Sequence, residues 1–180
     1  AARVIDTERL VLRQWMQSDV APFHAMGQDA EVMRYHGPRA TWREARHARD
    51  RMNTVMARTG HCFWAIERRS DRRFIGFCGL MPTPAPIAGE VEIGWRLARG
   101  VWGRGYATEA AAASLSWAWT YLDVPSIAAV TVPANARSRR LIERLGMVRV
   151  AGGDFDHPDL DAGHPLRRHQ LYRIARPGHD

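Results

Sequence analysis

Along Arg9 to Trp15, Leu10, Leu12 and Gln14 alternate with Val11, Arg13 and Trp15, the two-residue period of a strand. The stretch from Asp19 to Tyr35 loses that period and predicts short helical pieces. Thr41 to Thr59 predicts a longer helix, with Thr41 as cap, Glu44 three residues on and Gly60 as its stop. His61 to Arg68 and Arg73 to Met81 are apolar runs joined by the polar RSDR, a hairpin pattern, and prolines 82, 84 and 86 follow. Glu90 to Leu97 alternates again, with Val91, Ile93, Trp95 and Leu97 on one face and Glu90, Glu92 and Arg96 on the other. A helix is expected from Ala107 to Leu122 and a short apolar strand from Ser126 to Val132. NARSRRLIERLG predicts a helix that Asn135 caps and Gly146 ends. MVRV and HQLYRIA supply two late strands around a polar loop, Gly152 to Arg168. The changing period is that of a mixed α/β chain, and no repeat or linker divides residues 1–180, so one domain is expected.

Between the strand ending at Leu97 and the alanine-rich helix lies WGRGYATEA. Glycine before a helix costs stability, so Gly103 and Gly105 must serve the backbone: a strand-to-helix loop leaves N–H groups unpaired at the positive end of the helix dipole, a site for an anion. It is neither of two familiar phosphate loops. Thr108 stands where a dinucleotide fingerprint needs its last glycine or alanine, and no Gly-Lys pair exists for a nucleotide-triphosphate loop.

Composition narrows the setting. No apolar run is long enough to span a bilayer, and the N-terminal residues do not resemble a secretion signal, which leads to a cytoplasmic expectation. Cys62 and Cys78 are too few for a thiolate zinc site and are expected to be small strand residues, with no metal in the protein. A formal net charge of +7 would attract RNA or a small phosphorylated ligand alike.

The order of EVEIGWRL, GVWGRGYATEA, a strand and NARSRRLIERLGM resembles the GNAT superfamily of acyl-CoA-dependent N-acetyltransferases. TERLVLRQW and GFCGL make it similar to the RimJ/RimL-like branch, which includes ribosomal-protein N-terminal acetyltransferases. The resemblance covers about residues 6–150. It implies an α/β fold with a central, mostly antiparallel sheet, splayed open after the central strand and flanked by helices. Coenzyme A would enter the cleft from one side and the amine from the other. The backbone of Trp95, Arg96 and Leu97 would pair with the pantetheine arm, and Gly103, Arg104, Gly105, Tyr106, Ala107 and Thr108 would hold the pyrophosphate. Asn135 would lie near the pantetheine, with Ser138 one turn on. Two positions depart from the family: Gly100, beside Arg99, replaces the glutamine or arginine usual there, and Ile142 replaces the tyrosine that many members use as acid.

Direct transfer to an amine needs a base, a polarised carbonyl and help for the leaving thiolate. Glu92 is the first candidate base and Glu90 the second, against a bland reading of both as solvated strand charges. Ser138 is the candidate acid, against a role in capping, and a backbone N–H on the splayed strand would polarise the carbonyl. Glu109 is explained by the helix dipole, and Trp117 and Trp119 by helix packing. Asp156, His157 and His164 are hypothetical specificity residues in a loop that is otherwise simply polar.

The expected reaction moves an acetyl group from acetyl-CoA to a primary amine in a ternary complex. The acceptor would be a protein N-terminus or a small-molecule amine. No membrane partner is expected, and no nucleic acid except through a ribosomal substrate. The alternative is a non-catalytic module that senses acyl-CoA or binds RNA. Gln170 to Ile174 could pair across a homodimer or finish its own sheet.

Overall fold

The structure, a computed structural model, describes residues 2–178. A nine-stranded sheet runs in the order β1 (Arg3–Asp6), β2 (Leu10–Arg13), β3 (Phe63–Arg68), β4 (Phe74–Pro82), β5 (Val91–Leu97), β6 (Ser126–Thr131), β9 (Arg168–Ala175) and β7 (Val148–Arg149), with β8 (Phe155–Asp156) pairing only to β9. Every pairing is antiparallel except β5 with β6. The helices are α1 (Val20–Gln28), α2 (Ala30–Met33), α3 (Trp42–Thr59), α4 (Tyr106–Tyr121) and α5 (Ala136–Arg144).

Local chemistry accounts for most of these boundaries. The α3 start is the expected capping box, with the Thr41 hydroxyl accepting from the Glu44 N–H and the Glu44 carboxylate accepting from the Thr41 N–H, both at 3.1 Å. Strand β2 is shorter than its alternation predicts, because the chain turns after Arg13. That guanidinium is buried against Asp19, at 2.8 and 2.9 Å, and Glu67, at 3.0 Å, so it holds β2 and β3 to the first helices. Two strands went unpredicted, β1 and β8. Cys62 lies just before β3 rather than within it, and both thiols are buried and free.

Helix α4 packs on β4 and β5 through Ala110, Ala111, Ser114 and Ala118, all fully buried. Small residues on that stripe let the helix axis approach the sheet closely. Leu10, Leu12, Trp64, Ile66, Leu80 and Ile127 fill the core below it. Ile142 is core as well, at 1 % exposure. Trp117 meets Trp64 edge-on with centroids 4.9 Å apart, as a packing residue does. Strand β9 lies between β6 and β7 and also pairs with β8, so Gln170 to Ile174 finishes its own sheet.

The functional geometry comes from the one parallel pair. Strands β5 and β6 are joined only where Glu92 faces Ala128, while β6 stays paired to β9 along its whole length. Beyond that point the carboxyl ends of β5 and β6 part. Each strand leads into a helix, α4 and α5, so two helix N-termini flank the opening, which is where open α/β sheets bind ligands.

Candidate active site

One cavity, of about 570 Å³, lies over the parted strand ends. Ten of the eleven expected cofactor positions line it: Trp95, Arg96 and Leu97 on β5; Gly103 and Gly105 in the loop; Tyr106, Ala107 and Thr108 in the first turn of α4; and Asn135 and Ser138 at the start of α5. Arg104 does not. Its side chain is outside the lining, and its carbonyl is held by the Arg9 guanidinium at 2.9 Å.

The loop glycines answer to backbone conformation. Gly103 and Gly105 have φ of +77° and +79°, the left-handed region that costs an L side chain about 1–2 kcal/mol. Gly105 is the N-cap of α4, and no side chain caps this helix, unlike α3 and α5. The N–H groups of its first turn therefore open into the cavity at the positive end of a sixteen-residue helix.

Sequence reasoning missed the arginines around this mouth. Arg34, Arg137, Arg140 and Arg144 all line the cavity, against the single carboxylate of Glu31. Arg137 lies 3.6 Å over the Trp102 ring, and Arg144 donates to the Thr108 hydroxyl at 3.0 Å. Much of the net positive charge thus gathers at one polar mouth. Arg99, beside the unusual Gly100, pairs with Asp29 at 2.9 Å and adds nothing to the lining.

Glu109 does more than favour a helix dipole. Its carboxylate accepts from the Thr7 hydroxyl (2.6 Å), the Arg9 N–H (2.9 Å) and the Arg9 guanidinium (2.7 Å). Burial would raise this carboxyl, and the bonds from Thr7 and Arg9 outweigh it and hold it below its ordinary range. Through Arg9, which also lies 4.3 Å over the Tyr106 ring, the β1–β2 turn is tied to the glycine loop.

Asn135 and Ser138 have divided roles. The Asn135 side-chain oxygen caps α5 by accepting from the Ser138 N–H at 3.2 Å. The Ser138 hydroxyl takes no part in that cap, and the residue lines the cavity. The Leu97 carbonyl already accepts from the Trp102 indole at 2.9 Å, which leaves Trp95 and Arg96 as the more open edge of β5.

A second cavity, of about 670 Å³, lies on the other side of the sheet opening. Tyr35, His36 and Arg96 line both cavities, so the two meet there. Glu92 lines the second one. Its Oε2 is buried with no hydrogen-bond partner, and burial pushes its pKa up to about 7, with the Arg51 guanidinium pulling weakly the other way. Glu90, the second candidate base, has its carboxylate bound by two nitrogens of the Arg173 guanidinium, at 2.7 and 2.8 Å, and is not in this lining. His157 and His164 line the second cavity, and so does His169, which was not anticipated. Asp156 does not; it faces Arg168 at 3.4 Å and Arg167 at 3.8 Å. Among the described residues, no three His, Cys, Asp or Glu side chains converge as a metal site.

Residues 9–148 match the acetyltransferase (GNAT) domain family. The chain belongs to the GNAT acetyltransferase family. It is 32% identical over 145 residues to the uncharacterized protein YkkB of Bacillus subtilis, covering 78% of this chain and 83% of that one. An acetyltransferase from Agrobacterium tumefaciens shares the fold with a TM-score of 0.76 at 26% identity, covering 97% of this chain and 95% of that one. Spermidine N-acetyltransferase from Vibrio cholerae, solved with CoA and spermine, has a TM-score of 0.73 at 17% identity, covering 94% and 97%. The GNAT match is to the family as a whole and does not select the RimJ/RimL-like branch. Membership makes acyl transfer to an amine the activity, with the CoA thioester donor general to GNAT enzymes. No described helix is long and apolar enough to cross a membrane.

Proposed function

We propose that the chain moves an acetyl group from acetyl-CoA directly to a primary amine, both bound at once, with Glu92 as general base. The observation that carries this is a carboxylate whose Oε2 is buried without a partner, on the one residue of β5 that pairs with β6, in the cavity beside the one that gathers the arginines. Two cavities that meet at Arg96 let donor and acceptor approach from opposite sides without a covalent enzyme intermediate.

In this reading the α4 N-terminus, Gly103 to Thr108 and the flanking arginines hold the phosphates of the donor. The edge of β5 at Trp95 and Arg96 pairs with the pantetheine as an added strand would, and the Asn135 amide nitrogen, left over from the cap, donates to it. Glu92 takes the proton of the attacking ammonium, for which a pKa near neutrality is well matched. As the nitrogen–carbon bond forms and the carbon–sulfur bond breaks, a β5 backbone N–H steadies the carbonyl oxygen and the Ser138 hydroxyl donates to the leaving sulfur. Residues 1–180 act here as one domain.

The experiment is thiol release from acetyl-CoA across a panel of amines and N-terminal peptides, with Glu92→Gln beside the wild type. Amine-dependent release that drops steeply in the variant supports both the reaction and the base. Release that Glu92→Gln leaves unchanged refutes the base, and CoA binding without release on any amine refutes catalysis in favour of a sensing module. All 26 basic residues are arginines, so no lysine of the chain can divert the acetyl group.

A further inference from the structure

The acceptor-side cavity has a charge pattern that proton removal does not explain. Glu92 is its one carboxylate. Two guanidiniums share the lining, the exposed Arg51 from α3 and the half-buried Arg96 from β5, and neither forms an ion pair among the described residues. Arg96 is the sharper case. Its Nε is buried with no hydrogen-bond partner, and the group lies 5.3 Å over the Phe77 ring. The residue as a whole is half-buried, so its fork opens toward the cavity while Nε is left without a partner, and an anionic group there would complete it.

His36, His157, His164 and His169 also line the cavity, and much of the remaining wall is apolar and aromatic. Trp15 meets Phe23 edge-on with centroids 5.0 Å apart, and Phe63 stacks on Phe77 at 5.5 Å. Glu92 and Arg96 lie on the same face of β5, about 13 Å apart between Cα atoms by strand rise. Gly94 stands between them, and a Cβ there would come within 2.8 Å of the Phe63 ring. The face thus reads carboxylate, aromatic floor, guanidinium.

A polyamine or a lysine-rich segment would bring several cations to one carboxylate and two arginines, a mismatch of sign. We propose that the acceptor is a small amphoteric amine, a primary amine and an acid group on an apolar, aromatic-sized body, whose acid is held by Arg96. This rests on the reading that Glu92 receives the amine.

Binding tests it without requiring chemistry. Phenylalanine and the dipeptide Phe-Gly are titrated calorimetrically into the CoA-loaded protein, each beside its C-terminal amide, with spermidine as the polycation. Removing one charge-assisted pair predicts that at least one acid binds at least about tenfold tighter than its amide and that spermidine binds weakest. In Arg96→Gln the acid-to-amide ratio should fall to within about threefold. Equal binding of acids and amides, no binding of either, or tighter binding of spermidine overturns the inference; a ratio that survives in Arg96→Gln overturns the role of Arg96. The wild-type comparison stands even if the variant does not fold. Thiol release run in parallel separates the two readings: an acid preference in binding without release keeps the acid site at Arg96 and counts against the transfer reaction, while release that favours amides or spermidine keeps the transfer reaction and overturns the acid site.

Discussion

Replacing Glu92 with glutamine should raise stability at pH 8 while removing activity. The carboxyl moves from an ordinary 4.5 to about 7 because it is buried, which at 1.36 kcal/mol per tenfold change in proton affinity is a penalty of about 3 kcal/mol on the ionised form. The native state therefore holds this proton over a range in which the unfolded chain has released it. Stability from this group is fully present below pH 4.5 and is lost as pH rises through about 7. Glutamine carries no such dependence. Its amide also lacks a partner, since Oε2 already has none, but that cost is the same at every pH.

The assay is denaturant unfolding of both proteins at pH 5, 6, 7 and 8. The stability difference, variant minus wild type, should grow by up to about 3 kcal/mol from pH 5 to 8, most of it between pH 5 and 7. In thiol release, the wild-type kcat/KM should rise with pH through an inflection near 7 that the variant lacks, and the variant should be about 10²–10⁴-fold slower at the plateau. Parallel stability curves would show that the carboxylate is not desolvated, and the base assignment would lose its physical ground.

Glu90→Gln should leave kcat/KM within about twofold, since Glu90 is bound to Arg173 and away from the acceptor cavity; a loss as large as that of Glu92→Gln would put the base at the wrong carboxylate. Gly105→Ala, at φ +79°, should cost about 1–2 kcal/mol in unfolding experiments and weaken CoA in titration, because the helix N-terminus must shift. Glu109→Ala removes the acceptor of three hydrogen bonds, and about 1–3 kcal/mol of stability should go with a raised KM for acetyl-CoA; an unchanged KM would detach the Arg9 tie from the loop's function. Arg140→Ala and Arg144→Ala together should lower CoA affinity and flatten its salt dependence, read by calorimetry at two ionic strengths.

The parts of this fold that were legible are those whose cause lies within a few residues. The Thr41–Glu44 cap, the left-handed glycines before α4 and the alternation that puts Glu92 on a face of β5 are all local bargains between side chain and backbone. What was not legible depends on contacts across the chain. Glu90 and Glu92 look interchangeable in sequence, and it is Arg173, 83 residues on, that pairs with one of them and distinguishes their settings. Arg104 sits inside the loop motif yet serves through its carbonyl, because Arg9 comes to it from the far end of the sheet. Arg96 was expected to act through its backbone on the donor side. A strand residue has a backbone edge and a side-chain face, so the same position can serve the donor with one and the acceptor with the other. In the proposed site that double use would place a cation where donor and acceptor meet, and Arg96 lining both cavities is the feature motif matching is least able to see.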